Sequence, residues 1–245
     1  MPALSVVIPA YNEEKRLPPS LERMVEYLAR SQFSPTEIVV VDDGSSDDTA
    51  GAVRLASERL GREGLTILLL ENPGNRGKGY SVRHGMLQAR HEWALFSDAD
   101  LSAPIEEVEK LVDAAQRGPH DGAIGSRAID RSLIGVRQPL LRELMGRFFN
   151  VVMRLGAGLS YSDTQCGFKL FRREAAQQIF QRQRLDGFGF DVEILYIAKQ
   201  IGLSIAEVAV RWNDVEGTKV GALQGVDAFA DILRVRWNGL RGLYR

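Results

Sequence analysis

Short runs of consecutive apolar residues alternate with helical periodicities through the first half of the chain. Residues 4–8 form one such run, closed by Pro9. Leu21, Met24, Val25 and Leu28 then recur at i, i+3, i+4 and i+7, the spacing of a single helix face. A second run, 37–41, stops at Asp42-Asp43-Gly44, and a further helical pattern after Asp48 carries Val53, Leu55, Ala56 and Leu60 before Gly61 and Gly64 punctuate it. Residues 65–70 and 93–97 read as strands with a glycine-rich link and a helix between them. Ile105, Val108, Leu111, Val112 and Ala115 outline one more amphipathic helix before a strand at 123–125. Strands that are apolar at successive positions bury both faces. The pattern therefore predicts an α/β fold, a doubly wound and mostly parallel sheet, over about the first 130 residues.

The second half has a different texture. Residues 139–155 place Leu141, Leu144, Met145, Phe148, Val152 and Leu155 on one side and Arg142, Arg147 and Arg154 on the other. The last twenty residues repeat the theme, with Val226, Phe229, Leu233, Trp237 and Leu240 against Arg234, Arg236, Arg241 and Arg245. Such helices either lie in a membrane interface or pack their apolar face on a core and leave the arginines in solvent. The pattern leaves both open.

Composition narrows the class. With 44% hydrophobic and 26% charged residues the chain has the make-up of a globular protein, not a disordered one. A net charge of -1 lacks the basic excess of a general nucleic-acid binder. The single cysteine, Cys166, cannot form an internal disulfide. No run of 18 apolar residues is present, and Pro9 interrupts an N-terminal stretch that has no basic leader, so neither a membrane span nor a signal peptide is expected. The expected location is cytoplasmic, with peripheral contact on the cytoplasmic membrane face if the basic helices make it.

In an open parallel sheet, ligands bind beyond the carboxyl ends of the strands, and the polar motifs gather there. The first run leads into Pro9-Ala10-Tyr11-Asn12-Glu13, the second into Asp42-Asp43, and the fourth into Asp98-Ala99-Asp100. Two carboxylates one residue apart suit a hard divalent cation, Mg²⁺ or Mn²⁺, that also bridges a diphosphate; ordinary turn chemistry is the alternative. A calcium loop is excluded, because Ala103 stands where glycine is required and a strand precedes the site. Asp42 and Asp43 suit hydrogen bonds to a base or ribose, or the capping of the next helix, although Asp47, Asp48 or Thr49 could cap it instead. Tyr11 suits stacking on a base or a place at the rim of the core. Residues 72–79 resemble a phosphate loop but lack the Walker pattern, leaving Lys78 as a nucleotide contact. His84, His91 and His120 have no zinc spacing, Gly-x-Ser-x-Gly is missing, and no Gly-x-Gly-x-x-Gly follows the first strand.

Residues 6–13, 39–45 and 98–100 together resemble family 2 glycosyltransferases of the GT-A fold. Asn75-Arg76-Gly77-Lys78-Gly79, residues 163–169, Phe190-Asp191-Val192-Glu193, residues 207–210 and Gly217-Thr218-Lys219 are more narrowly similar to dolichyl-phosphate β-glucosyltransferases. The resemblance implies inverting transfer of a hexose, glucose above all, from a nucleotide diphosphate sugar such as UDP-glucose to a polyprenyl phosphate. It implies donor contacts at Pro9, Ala10, Tyr11, Glu13, Asp42, Asp43, Lys78, Asp98, Ala99, Arg127 and Lys219, with Asp43 rather than Asp42 reaching the base. Asp98 and Asp100 would hold the metal and serve catalysis. The mannosyl-transferring relatives have an arginine six residues before the lysine, where this chain has Asn213 with Arg211 nearby; that departure favours glucose over GDP-mannose. The Gln-x-x-Arg-Trp pattern of processive synthases is missing after Gln165, so single-sugar transfer is implied.

On this reading residues 1–225 form the GT-A domain, with a nucleotide-binding half to about residue 130 and an acceptor half over 131–225, and 226–245 is a separate basic amphipathic helix. Arg137 and Arg142 are candidates for the acceptor phosphate, since arginine forks match phosphate geometry. A phosphate acceptor is largely dianionic near pH 7 and needs no strong base. A hydroxyl acceptor on a small molecule, lipid or glycan needs one. Asp191 is the candidate for that base, the alternative being a cap for a helix beginning near Val192.

Overall fold

The computed structural model describes residues 1–136, 150–152 and 154–215, the backbone of 222–229, and all of 230–245. Arg137, Arg142 and Lys219, together with most of the apolar stripe predicted at 139–155, lie outside the described residues.

Among the described residues, seven strands form one sheet in the order β3-β2-β1-β4-β6-β5-β7. The strands are β1 (Leu4–Ala10), β2 (Thr36–Asp42), β3 (Leu65–Glu71), β4 (Trp93–Ser97), β5 (Gly122–Ser126), β6 (Phe168–Arg172) and β7 (Ile205–Ala209). The labelled helices are α1 (Leu17–Leu28), α2 (Thr49–Leu60), α3 (Lys78–Gln88), α4 (Val108–Arg117), α5 (Arg173–Arg182), α6 (Phe190–Gln200) and α7 (Ala222–Leu240). The expected strands of the first half all form, and β1 pairs in parallel with β2 and β4. β6 is the exception to the parallel pattern, running antiparallel to both β4 and β5.

The apolar runs are continuous because both faces of the sheet are covered. Leu4, Val6 and Ile8 of β1 pack with Leu17, Leu21, Met24 and Leu28 of α1, Val53 of α2 and Leu111 of α4 on one side. Val7, Val39 and Val41 pack with Val82 and Met86 of α3, Ile179 and Phe180 of α5 and Ile194 of α6 on the other. In α2, Val53 and Ala56 turn inward as expected, whereas Leu55 faces solvent. A proline in the first turn of α1 fits a position whose N–H has no intrahelical partner. β6 and β7 come from beyond residue 130, so one sheet is shared by the two halves of the sequence.

Candidate active site

β1, β2, β3, β4, β5 and β7 all point their carboxyl ends to the same edge, because β6 is reversed against both its neighbours. That edge collects Pro9, Ala10 and Tyr11 after β1, Asp42 and Asp43 after β2, Lys78 at the start of α3, Asp98–Asp100 after β4, and Arg127 after β5. β6 begins there, preceded by Cys166 and Gly167. Asn12, just past Tyr11, has φ 53°, a left-handed conformation that asparagine tolerates. Its side chain accepts from the Ser46 amide (2.8 Å), tying the loop after β1 to the loop after β2. Tyr11 is exposed at the rim. Glu13 is buried and holds Arg16 through two hydrogen bonds of 2.8 and 2.6 Å.

Asp98-Ala99-Asp100 turns sharply. Leu101 adopts φ 51°, an uncommon conformation for a branched side chain, with its amide bonded to the Asp98 carbonyl at 3.3 Å. Lys78 Nζ lies 2.7 Å from Asp98 Oδ1, with the rings of Phe96 and Phe188 within 5.4 and 5.9 Å. Gly167 lies opposite, and a side chain there would run into the Asp98 carboxylate and displace it from its present position. Burial raises the Asp100 carboxyl above its usual range and the charge of Asp98 adds to this, against an opposing 3.0 Å hydrogen bond from the Ser102 amide. Burial alone would lower the Lys78 ammonium, but the carboxylates of Asp98, Asp191 and Asp100 outweigh it and hold it above its ordinary value.

These residues fit a hard cation. An Asp100 carboxyl raised by burial and by the charge of Asp98 is a donor that a divalent ion relieves, and one or two carboxylates plus substrate phosphates suffice for Mg²⁺. Among the described residues no group of three or more histidine, cysteine, aspartate or glutamate side chains could hold a metal.

Asp43 is committed to the protein. Its Oδ1 accepts from Asn72 Nδ2 (2.8 Å) and the Arg76 amide (3.0 Å), and its Oδ2 from the Gly77 amide (2.8 Å). The amides of the glycine-rich loop thus turn inward to a carboxylate and do not present themselves to a phosphate. What the loop delivers to the edge is Lys78. Asp42 is hydrogen-bonded to the Ser45 hydroxyl and amide. Neither aspartate caps α2; that stretch is organised by Asp47, which accepts from the Thr49 amide at 3.1 Å.

Arg127 is held in a two-pronged pair by Asp163, with Nε–Oδ2 at 2.6 Å and Nη2–Oδ1 at 2.9 Å, and lies 5.6 Å from the centre of the Trp212 ring. Glu207 of β7 accepts from the amides of Ser162 and Asp163 (2.8 Å each) and fixes that loop. Burial would raise the Asp163 carboxyl, but Arg127 overrides it and holds it down to about 2. A depressed carboxyl stabilises the fold above its unfolded value near 4 and ceases to do so as pH falls toward 2. Asp163→Asn is therefore expected to cost about 2 kcal/mol at neutral pH. Urea midpoints measured from pH 7 to 2.5 should converge for the two proteins at the acid end; a constant gap would remove Asp163 from the acid transition.

Asp191 lies in the first turn of α6 but caps nothing. Its carboxylate is hydrogen-bonded to Lys169 Nζ, which is fully buried on β6 and also donates to the Cys166 carbonyl (2.7 Å). Burial pushes the Asp191 carboxyl up, with Lys169 and Lys78 pulling it back. Cys166 is buried, its thiol pushed up to about 12, and so is no nucleophile.

The edge thus gathers the aspartates, Lys78 and Arg127 as the sequence suggests, and adds Lys169 and Asp163, whose types carry no signal of burial or pairing. The family model described as "Glycosyl transferase family 2" matches residues 5–180. The chain belongs to that glycosyltransferase family. It is 38% identical to the human dolichyl-phosphate β-glucosyltransferase, covering 99% of this chain and 77% of that one. The Drosophila melanogaster enzyme of the same name is 42% identical over 89% of this chain and 69% of its own. The Saccharomyces cerevisiae enzyme is 36% identical over 99% and 76%. Among solved structures, glucosyl-3-phosphoglycerate synthase from Mycobacterium tuberculosis in complex with Mn²⁺ and UDP-glucose superposes with a TM-score of 0.66 at 19% identity, covering 96% of this chain and 79% of that one. The shared fold is GT-A.

Proposed function

We propose that this enzyme transfers glucose, with inversion, from UDP-glucose to a dolichyl or other polyprenyl phosphate. The observation that carries the reading is the ion pair of Asp98 with Lys78 at the sheet edge, two residues from Asp100, in a chain 35–42% identical to dolichyl-phosphate β-glucosyltransferases along most of its length. Tyr11 and Asp42 contact the nucleoside beside Pro9, Ala10 and Glu13, and Asp43 acts through the loop it holds. Asp98 and Asp100 would hold a Mg²⁺ or Mn²⁺ ion, which when bound would supply charge neutralisation at the diphosphate. Lys78 and Arg127 offset the charge that develops on the departing UDP. An oxygen of the acceptor phosphate bonds to the anomeric carbon from the face opposite the leaving group, the bond to UDP breaks, and the configuration inverts. That oxygen carries no proton to remove, so Asp191 acts as the partner of Lys169 and not as a base.

The test is product formation from labelled UDP-glucose with Mg²⁺ or Mn²⁺, with and without a short polyprenyl phosphate, and with GDP-mannose as rival donor. A metal-dependent, chloroform-soluble glucosyl product is expected. Donor hydrolysis without a lipid product would overturn the acceptor, and preference for GDP-mannose would overturn the donor.

A further inference from the structure

α7 presents apolar residues on two faces. Ile232 and Val235 are buried in the core on one face, and beyond the helix Tyr244 is buried as well. The Tyr244 hydroxyl donates to Glu193 Oε1 (2.6 Å) and accepts from Asn238 Nδ2 (3.1 Å), pinning the end of the chain to α6. On the other face Leu233, Trp237 and Leu240 are 73%, 61% and 79% exposed. They fall at i, i+4 and i+7, a single stripe. This corrects one of the two readings of the sequence: the predicted stripe, where its side chains are described, faces outward, and other residues of the helix pack on the core. Leu155, on the neighbouring helical segment whose Gly156 lies against Ile232, is exposed too.

Arg234, Arg236 and Arg241 flank the stripe and are exposed, as is Arg245 beyond it. The one acidic residue between 230 and 245, Asp231, is buried and ion-paired with Arg234 at 3.0 Å, so the positive charge of the margin rests on Arg236, Arg241 and Arg245. The surface is therefore apolar along its middle and cationic along its margins. A second copy meeting the same stripe would bring arginines against arginines, which self-pairing disfavours. Anionic headgroups offer the opposite match, with leucine and tryptophan entering the acyl boundary and the guanidinium groups staying at phosphate level.

We infer that the outward face of α7 is a preformed docking surface for an anionic lipid bilayer, with Leu233, Trp237 and Leu240 as the inserted residues and Arg236 and Arg241 as headgroup contacts. It deepens the proposed lipid acceptor but stands on this face alone. The pinning by Tyr244 means that the stripe is held outward before any membrane is met, so docking requires no folding of the helix.

The experiment is cosedimentation of the full chain with vesicles of phosphatidylcholine alone or with 30% phosphatidylglycerol, read also by Trp237 fluorescence. Wild type should bind the anionic vesicles with a blue shift and bind the neutral ones far more weakly. Leu233→Ser/Trp237→Ser/Leu240→Ser should lower the partition coefficient at least tenfold, and Arg236→Gln/Arg241→Gln roughly fivefold per arginine. All these positions are exposed, so unfolding midpoints should be unchanged. Equal binding by wild type and the triple-serine variant, or a wild-type dimer that this variant abolishes, would overturn the inference. Turnover of UDP-glucose with a water-soluble short-chain phosphate, assayed without vesicles, separates the two readings. Vesicle binding without turnover would keep the docking surface and remove the proposed reaction, and the reverse would do the opposite.

Discussion

Lys169→Met is expected to destabilise the protein by about 3–5 kcal/mol, the cost of leaving a buried charge without its partner. Asp191 would be the stranded group, since it is buried and Lys169 is its ion-pair partner. Removing both charges is a different matter: a buried pair replaced by apolar residues of similar size is often neutral or stabilising. Lys169→Met/Asp191→Leu should recover most of the loss, which equilibrium urea unfolding of the two variants would show. The double variant also tests the chemistry. If it folds and still glucosylates a polyprenyl phosphate within a few-fold of wild type, Asp191 does not serve as a base. Loss of transfer in a folded double variant would restore Asp191 to the reaction.

Asp100→Asn should lower kcat/KM by about 10²-fold or more, because the substitution removes one of the two charges available to a cation and its diphosphate. The fold should survive it. The local partner of Asp100 is the Ser102 amide, and an asparagine oxygen can accept the same hydrogen bond. Steady-state kinetics with Mn²⁺ titrated calorimetrically in the presence of UDP would separate the effects. Weakened metal binding with an unchanged unfolding midpoint is expected, and activity within a few-fold of wild type would take Asp100 out of the site.

The parallel strands were legible because residues buried on both faces leave unbroken apolar runs, and Pro9, Asp42 and Asp43 mark where the runs end. The converging acids were legible for the same reason, since parallel strands bring their carboxyl ends to one edge. β6 was not. Its sequence, Phe-Lys-Leu-Phe-Arg, contains a lysine that reads as solvent-facing and is fully buried, neutralised by a residue 22 positions away. Asp43 illustrates another limit. Sequence places it at the right edge, but only the structure shows its carboxylate turned to the amides of the next loop. The outward stripe of α7 was visible as a stripe; which side of the helix meets the core depends on Ile232 and Val235, and periodicity alone did not rank the two faces.

The reversal of β6 has a consequence for how the chain is made. β1 to β4 can pair with one another as soon as they are synthesised, but β5 pairs only with β6 and β7, both of which follow it. β4 likewise keeps an open edge until Phe168–Arg172 arrives to fill it. At roughly 5–20 residues per second, the interval from Ser126 to Phe168 leaves those two edges unpaired for several seconds on the ribosome. A growing chain in that state exposes sheet edges able to pair with another chain. Slower growth temperature and chaperone capacity should therefore govern soluble yield more than the stability of the finished fold, and truncations ending near residue 130 should aggregate.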